Sequence, residues 1–118
     1  MKDKEKTSIG FRYAFNGIKE AFIRERNFRI HLYITSIVLI LSFYFQLNVS
    51  EWIFILIAIY FVLVMELVNS LFERIIDYIK PEYHIQAKII KDIAAGVVLL
   101  TATLSIIIGL IIFLPKIF

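Results

Sequence analysis

The sequence predicts an all-α membrane protein: one amphipathic helix at the membrane surface, then three helices that cross the bilayer. Three observations support this. Of the 118 residues, 60% are hydrophobic, more apolar material than a soluble core of this size needs. The apolar residues gather in three runs of about 20 residues, the length that spans a hydrocarbon core. Lysine and arginine crowd on one side of those runs. A single domain over residues 1–118 is expected, with no internal repeat, no low-complexity linker and no secretory signal. The absence of cysteine excludes disulfides and thiol catalysis. The net charge of +3 is modest, and no nucleic-acid partner is expected.

Residues 1–7 alternate in charge and are expected to fray. Ser8 is a candidate N-cap for a helix over 8–27. Phe11, Phe15, Ile18 and Phe22 recur at i, i+4, i+7 and i+11, opposite Arg12, Asn16, Lys19 and Glu20. This pattern suits a helix lying in the membrane interface. The first crossing is predicted over 30–49, with His31 at its start and Gln46 near its end. Asn48 to Glu51 form a turn, and Trp52 anchors an interface. The second crossing, 52–72, continues as helix towards Lys80 until Pro81 breaks it. The third, 93–114, is closed by Pro115 and Lys116.

Eight of the 13 lysines and arginines precede the first crossing: Lys2, Lys4, Lys6, Arg12, Lys19, Arg24, Arg26 and Arg29. The first loop has none, whereas the second has Arg74, Lys80, Lys88 and Lys91. The positive-inside rule therefore puts the N-terminus and second loop in the cytoplasm, and the C-terminus outside.

One stretch does not fit a plain membrane anchor. Glu66, Asn69, Glu73 and Asp77 fall at i, i+3, i+7 and i+11, within roughly 80° of one helix face. Ionisable groups at membrane depth cost roughly 2.5–3.5 kcal/mol each on insertion scales. Glu82 follows Pro81, and His84, Lys88, Lys91 and Asp92 form a second polar stripe on the next helix. With Glu25 just before the first crossing, these groups converge on the cytoplasmic boundary. Glu66 is the deepest, about 10 Å from Glu73 along the helix. A competing reading is a set of structural ion pairs in a non-enzymatic membrane subunit.

Clustered carboxylates with a lysine at a membrane surface suit a magnesium-bound nucleotide. Phosphoryl transfer needs a base for the attacking hydroxyl and cations over the phosphates. Glu66, nearest to where a lipid hydroxyl would sit, is the candidate base. Glu25 and Glu73 are candidate metal ligands, and Lys91 could face the phosphates. No Walker A loop, glycine-rich kinase loop, HRD or DFG triplet occurs. His31 and His84 are too few for a histidine-based metal site.

The segments ELVNSLFE, IIDYIKPEYHIQAKIIKDIAAGVVLL and RYAFNGIKEAFIRERNFRIHL resemble those of the small bacterial integral-membrane lipid kinases, the diacylglycerol kinase and undecaprenol kinase family. The resemblance covers about residues 9–114. It implies a homotrimer in the bacterial plasma membrane, with active sites shared between neighbouring subunits, that uses ATP, Mg2+ and a lipid alcohol. By matching motif positions it implies Glu66 as general base with Asn69 beside it, and Glu25 and Glu73 at the metal. It implies ATP contacts at Tyr13, Glu25, Glu73, Asp77, Glu82, Tyr83, His84, Lys91 and Asp92. Phe15, Lys19, Phe22, Glu66 and Ala95 would meet the lipid. The ERNFRIHL stretch is similar to that of Gram-positive undecaprenol kinases, whereas diacylglycerol-type enzymes carry an acidic residue in place of His31. Undecaprenol is therefore the expected substrate, with diacylglycerol as the alternative.

Overall fold

The computed structural model describes residues 3–118, with side chains from Gly10 onward. It contains four helices: α1 (Asp3–Arg24), α2 (Arg26–Tyr44), α3 (Val49–Ile79) and α4 (Ile85–Ile117). No strand occurs among the described residues. The last three helices are each long and apolar enough to cross a membrane.

The N-terminal helix differs from the expected 8–27. It starts by Asp3, so Ser8 lies inside it rather than capping it, and it ends at Arg24. Residues 3–7, expected to fray, are helical; Met1 and Lys2 lie outside the described residues. The early end has a local cause. Glu25 takes extended backbone, with φ −105° and ψ 105°, and α2 begins at the next residue. Arg29 reaches back from the first turn of α2 and donates to the carbonyls of Phe22 and Ile23 at 2.9 and 2.8 Å. Those carbonyls are left open at a helix C-terminus, where a cation is also favoured.

Helix α2 starts ahead of the predicted residue 30 and stops at Tyr44, short of Val49. Gln46 turns the chain with a left-handed φ of 52°. Asn48 then caps α3. Its side chain accepts from the Glu51 N–H at 2.9 Å, and the Glu51 carboxylate accepts from the Asn48 N–H at 3.0 Å. This reciprocal capping box satisfies two donors left open at the helix start. Lys116, at the end of α4, pairs with the same Glu51 at 3.1 Å. Asn48→Ala should lower stability by about 0.5–2 kcal/mol, read as a lower unfolding midpoint in detergent. A variant that melts with the native protein would show that the cap contributes nothing.

Helix α3 runs unbroken, so the apolar crossing and the acidic stripe share one rod. Helix α4 begins at Ile85, so Lys88, Lys91 and Asp92 share one helix with the predicted crossing over 93–114, while His84, expected on that helix, caps it: the Nδ1 atom accepts from the Gln86 N–H at 3.1 Å. Pro115 lies inside the last turn instead of closing the helix. The helix ends soon after, so the missing N–H disturbs only that turn.

The closest packing is between α3 and α4. Ala58 and Val62 on α3 and Thr101 on α4 are buried there. Small residues let two backbones approach closely within a bilayer. The Ser105 hydroxyl lies 3.3 Å from the Ala58 carbonyl across the seam, and 2.9 Å from the Thr101 carbonyl on its own helix. The apolar cluster of Leu47, Ile55 and Ile112, flanked by Phe45, Trp52 and Phe113, sits at the Asn48 end. Glu66 stands about 16 Å further along α3 from Ile55. The apolar cluster and the polar stripe therefore occupy different levels of the bundle.

Candidate active site

The stripe on α3 grades from buried to open. Glu66 and Asn69 are only 3% and 5% exposed, Glu73 is half-buried, and Asp77 is exposed. This follows from one helix face passing from the bundle interior towards the α3–α4 turn. A carboxylate this deep needs a partner. Its partner is on α2, where His31 Nε2 lies 3.5 Å from Glu66 Oε2. Asn69, one turn further along, is the polar neighbour on the same helix. Asn69 Oδ1 is buried without a hydrogen-bond partner. Such an orphaned acceptor is uncommon and marks a place where a donor is missing.

Glu25 sits at the break between α1 and α2, where Arg29 pins the chain. Its Oε1 accepts from Arg74 Nε at 3.0 Å, and Arg74 also pairs with Glu20 at 3.7 Å. Tyr13, Gly17, Glu20 and Glu25 face Ser70 and Arg74 across a groove of about 360 Å³ between α1 and α3. A second groove of about 390 Å³ runs between α2, α3 and α4 at membrane depth. Ile34, Val38, Ile55, Val62 and Ile106 line it, and His31 is its one ionisable residue.

The remaining predicted residues divide into smaller groups. Lys91 meets Asp77, joining the two polar stripes across the turn. Lys88 pairs with Asp92 along α4 at 2.6 Å. Glu82 pairs with Lys80 at 3.5 Å, and His84 is engaged as the cap of α4. Tyr83 is exposed, and so is Ala95. Phe15, Lys19 and Phe22 are exposed along α1. Within one chain, His31 meets Glu66 beside Asn69, Glu25 pairs with Arg74, and Asp77 pairs with Lys91; Glu73 stands about two turns beyond Glu66 on the same face. Glu82, Tyr83, His84 and Asp92 join neither groove. Among the described residues no group of three or more His, Cys, Asp or Glu could hold a metal by itself.

Two of these groups, Arg74 and His31, are not among the expected site residues. Arg74 lies two turns from Glu66 through Ser70, on the row next to the acidic stripe, so its register could have suggested it. His31 carries no such signal, because its relation to Glu66 depends on how α2 sits against α3.

The model of the prokaryotic diacylglycerol kinase family matches residues 12–113. The chain belongs to this family. It is 42% identical over 106 residues to the undecaprenol kinase of Bacillus subtilis, covering 90% of this chain and 86% of that protein. It is 36% identical over 108 residues to a diacylglycerol kinase of Synechocystis, covering 91% of this chain and 62% of that one. It is 23% identical over 95 residues to the diacylglycerol kinase of Escherichia coli, covering 80% and 78%. As a member of the prokaryotic diacylglycerol kinase family, the chain is a multi-pass membrane lipid kinase, a transferase of lipid metabolism. The competing reading, a non-enzymatic subunit held by ion pairs, does not account for this membership.

Proposed function

We propose that this lipid kinase transfers the γ-phosphoryl group of ATP to undecaprenol, and that Glu66 is the base. One observation carries the reading: a carboxylate only 3% exposed at membrane depth, paired with a histidine that also lines an apolar groove. A lipid alcohol keeps its tail in hydrocarbon and brings its hydroxyl to that level. Glu66 accepts the hydroxyl proton while the oxygen bonds to the γ-phosphorus. The bond from that phosphorus to ADP breaks, giving a lipid phosphate and ADP. Asn69 stands beside Glu66 and orients the reacting groups.

Undecaprenol is supported by the 42% identity to a protein named for that substrate, against 36% and 23% for two diacylglycerol kinases. Diacylglycerol is the second reading, supported by the family's description.

Glu25 and Glu73 are the proposed magnesium ligands. Two carboxylates suffice, because magnesium takes its other ligands from phosphate oxygens and water. Glu73 lies on the Glu66 face of α3, about 10 Å along the helix, and Glu25 stands at the head of α2, the helix that carries His31. Magnesium bound there would neutralise charge on the phosphates. Lys91 would face those phosphates, held by Asp77. Tyr13, Glu82, Tyr83, His84 and Asp92 complete the proposed nucleotide side. Tyr13 and Glu25 line a groove to which Glu82, Tyr83, His84 and Asp92 do not contribute. A homotrimer whose neighbouring subunit supplies the missing wall would bring the two sets together.

The proposed topology puts the N-terminus and the α3–α4 turn in the cytoplasm. Helix α1 lies in that leaflet as an amphipathic surface helix, with Phe11, Phe15, Ile18 and Phe22 in lipid. All four are exposed in the single chain, Phe15 by 71%. Replacing Phe15 and Phe22 by serine should weaken this hold, since each buried aromatic contributes roughly 1.5–3 kcal/mol of apolar transfer. The expected signature is a raised KM for the lipid with little change in KM for ATP. A rise in the ATP KM alone would remove α1 from the lipid side.

The test of function is purified protein in vesicles with γ-labelled ATP and a panel of lipid alcohols. Label on undecaprenol is expected. Label on diacylglycerol alone selects the second reading, and label on no lipid overturns the kinase reading for this chain.

A further inference from the structure

The proposed reaction leaves His31, a half-buried ionisable group beside Glu66, without a role. We propose that His31 is the positioning residue for Glu66, holding one carboxylate oxygen so that the other faces the lipid hydroxyl. The proposal rests on the lipid-kinase reading and assigns a residue to it.

Three observations carry it. First, the contact joins two helices: Nε2 of His31 on α2 lies 3.5 Å from Oε2 of Glu66 on α3, with side-chain exposures of 20% and 4%. Second, the other cations near the site are engaged elsewhere. Arg74 is held by Glu25 and Glu20, Lys91 by Asp77, and Arg29 by the carbonyls of Phe22 and Ile23. Among the described residues, His31 is the one basic group within ion-pair distance of Glu66. Third, His31 stands at the junction of two environments, since its ring also lines the apolar groove with Ile34, Val38 and Val62. A lipid whose tail follows that groove meets the imidazole and the carboxylate together.

The chemistry requires such a holder. A carboxylate acts as base only when one lone pair points at the hydroxyl proton, and a small misorientation costs heavily in rate. Engaging Oε2 from α2 removes rotational freedom from the carboxylate and leaves Oε1 available. Asn69 acts from the same helix as Glu66, so it cannot fix the carboxylate against an independent element.

The test compares His31→Leu with His31→Gln in the full chain, in vesicles with undecaprenol and ATP. Leucine keeps the volume and removes the donor. Glutamine restores an N–H at similar reach. The leucine variant should lose about 10–100-fold in kcat with both KM values nearly unchanged, and glutamine should recover most of that loss. A cycle with Glu66→Gln adds an independent readout: once Glu66 no longer acts as base, His31→Leu should cost nothing more. Should the leucine variant not fold, His31→Asn, whose amide is too short to reach Glu66, makes the same comparison. Equal kcat in all forms, equal loss in the two His31 variants, loss confined to KM, or additive losses in the cycle would each overturn the proposal. Wild-type protein that labels no lipid alcohol overturns the underlying reading instead, so the two failures are distinct.

Discussion

Glu66→Gln is expected to abolish phosphoryl transfer, lowering kcat by about 10²–10⁴-fold, the usual contribution of a positioned general base. The amide keeps the shape and volume of the carboxylate, so helix packing should be undisturbed. What it loses is the capacity to take the hydroxyl proton. The buried setting sharpens the effect, because at 3% exposure bulk water has little access to stand in as base. ATP binding should persist, since the proposed nucleotide contacts are other residues, on α1, at the α1–α2 break, further along α3, in the turn after it and on α4. Single-turnover kinetics with labelled ATP, paired with nucleotide binding, separates these effects. Near-normal turnover would remove Glu66 from the base role.

Glu73→Ala and Glu25→Ala should each raise the magnesium concentration for half-maximal rate, by about tenfold or more, because each is proposed to give an oxygen to the metal. The two changes should differ in their side effects. Glu25 also holds Arg74 at 3.0 Å, so its removal leaves that cation to Glu20. Glu25→Ala should therefore also loosen the junction of α1 and α3, which the lipid KM would report. Among the described residues Glu73 makes no ion pair, so its removal should act chiefly on the magnesium dependence. If neither variant changes the magnesium dependence, the metal is bound by other groups.

The features legible in the chain of residues are local ones. Hydrophobic run length marked the three crossings, and the 3.6-residue period put Glu66, Asn69, Glu73 and Asp77 on one face of α3. Pro81 marked the break before α4. Each of these depends on residues a few positions apart, so no partner element is needed to read them. Helix ends were less legible, because α1 and α2 meet through Arg29 reaching back to Phe22 and Ile23, and His84 caps α4 rather than lying within it. Side-chain hydrogen bonds of this kind decide where a helix stops, and apolar periodicity carries no trace of them. The partners of Glu66 and Glu25 came from helix packing alone. His31 meets Glu66 because α2 packs against α3 at one rotation and depth. Arg74 reaches Glu25 because the chain breaks at that residue. Two helices with the same stripes could pair their charges in several registers. Burial of the apolar faces selects one, and with it the groups that surround the base.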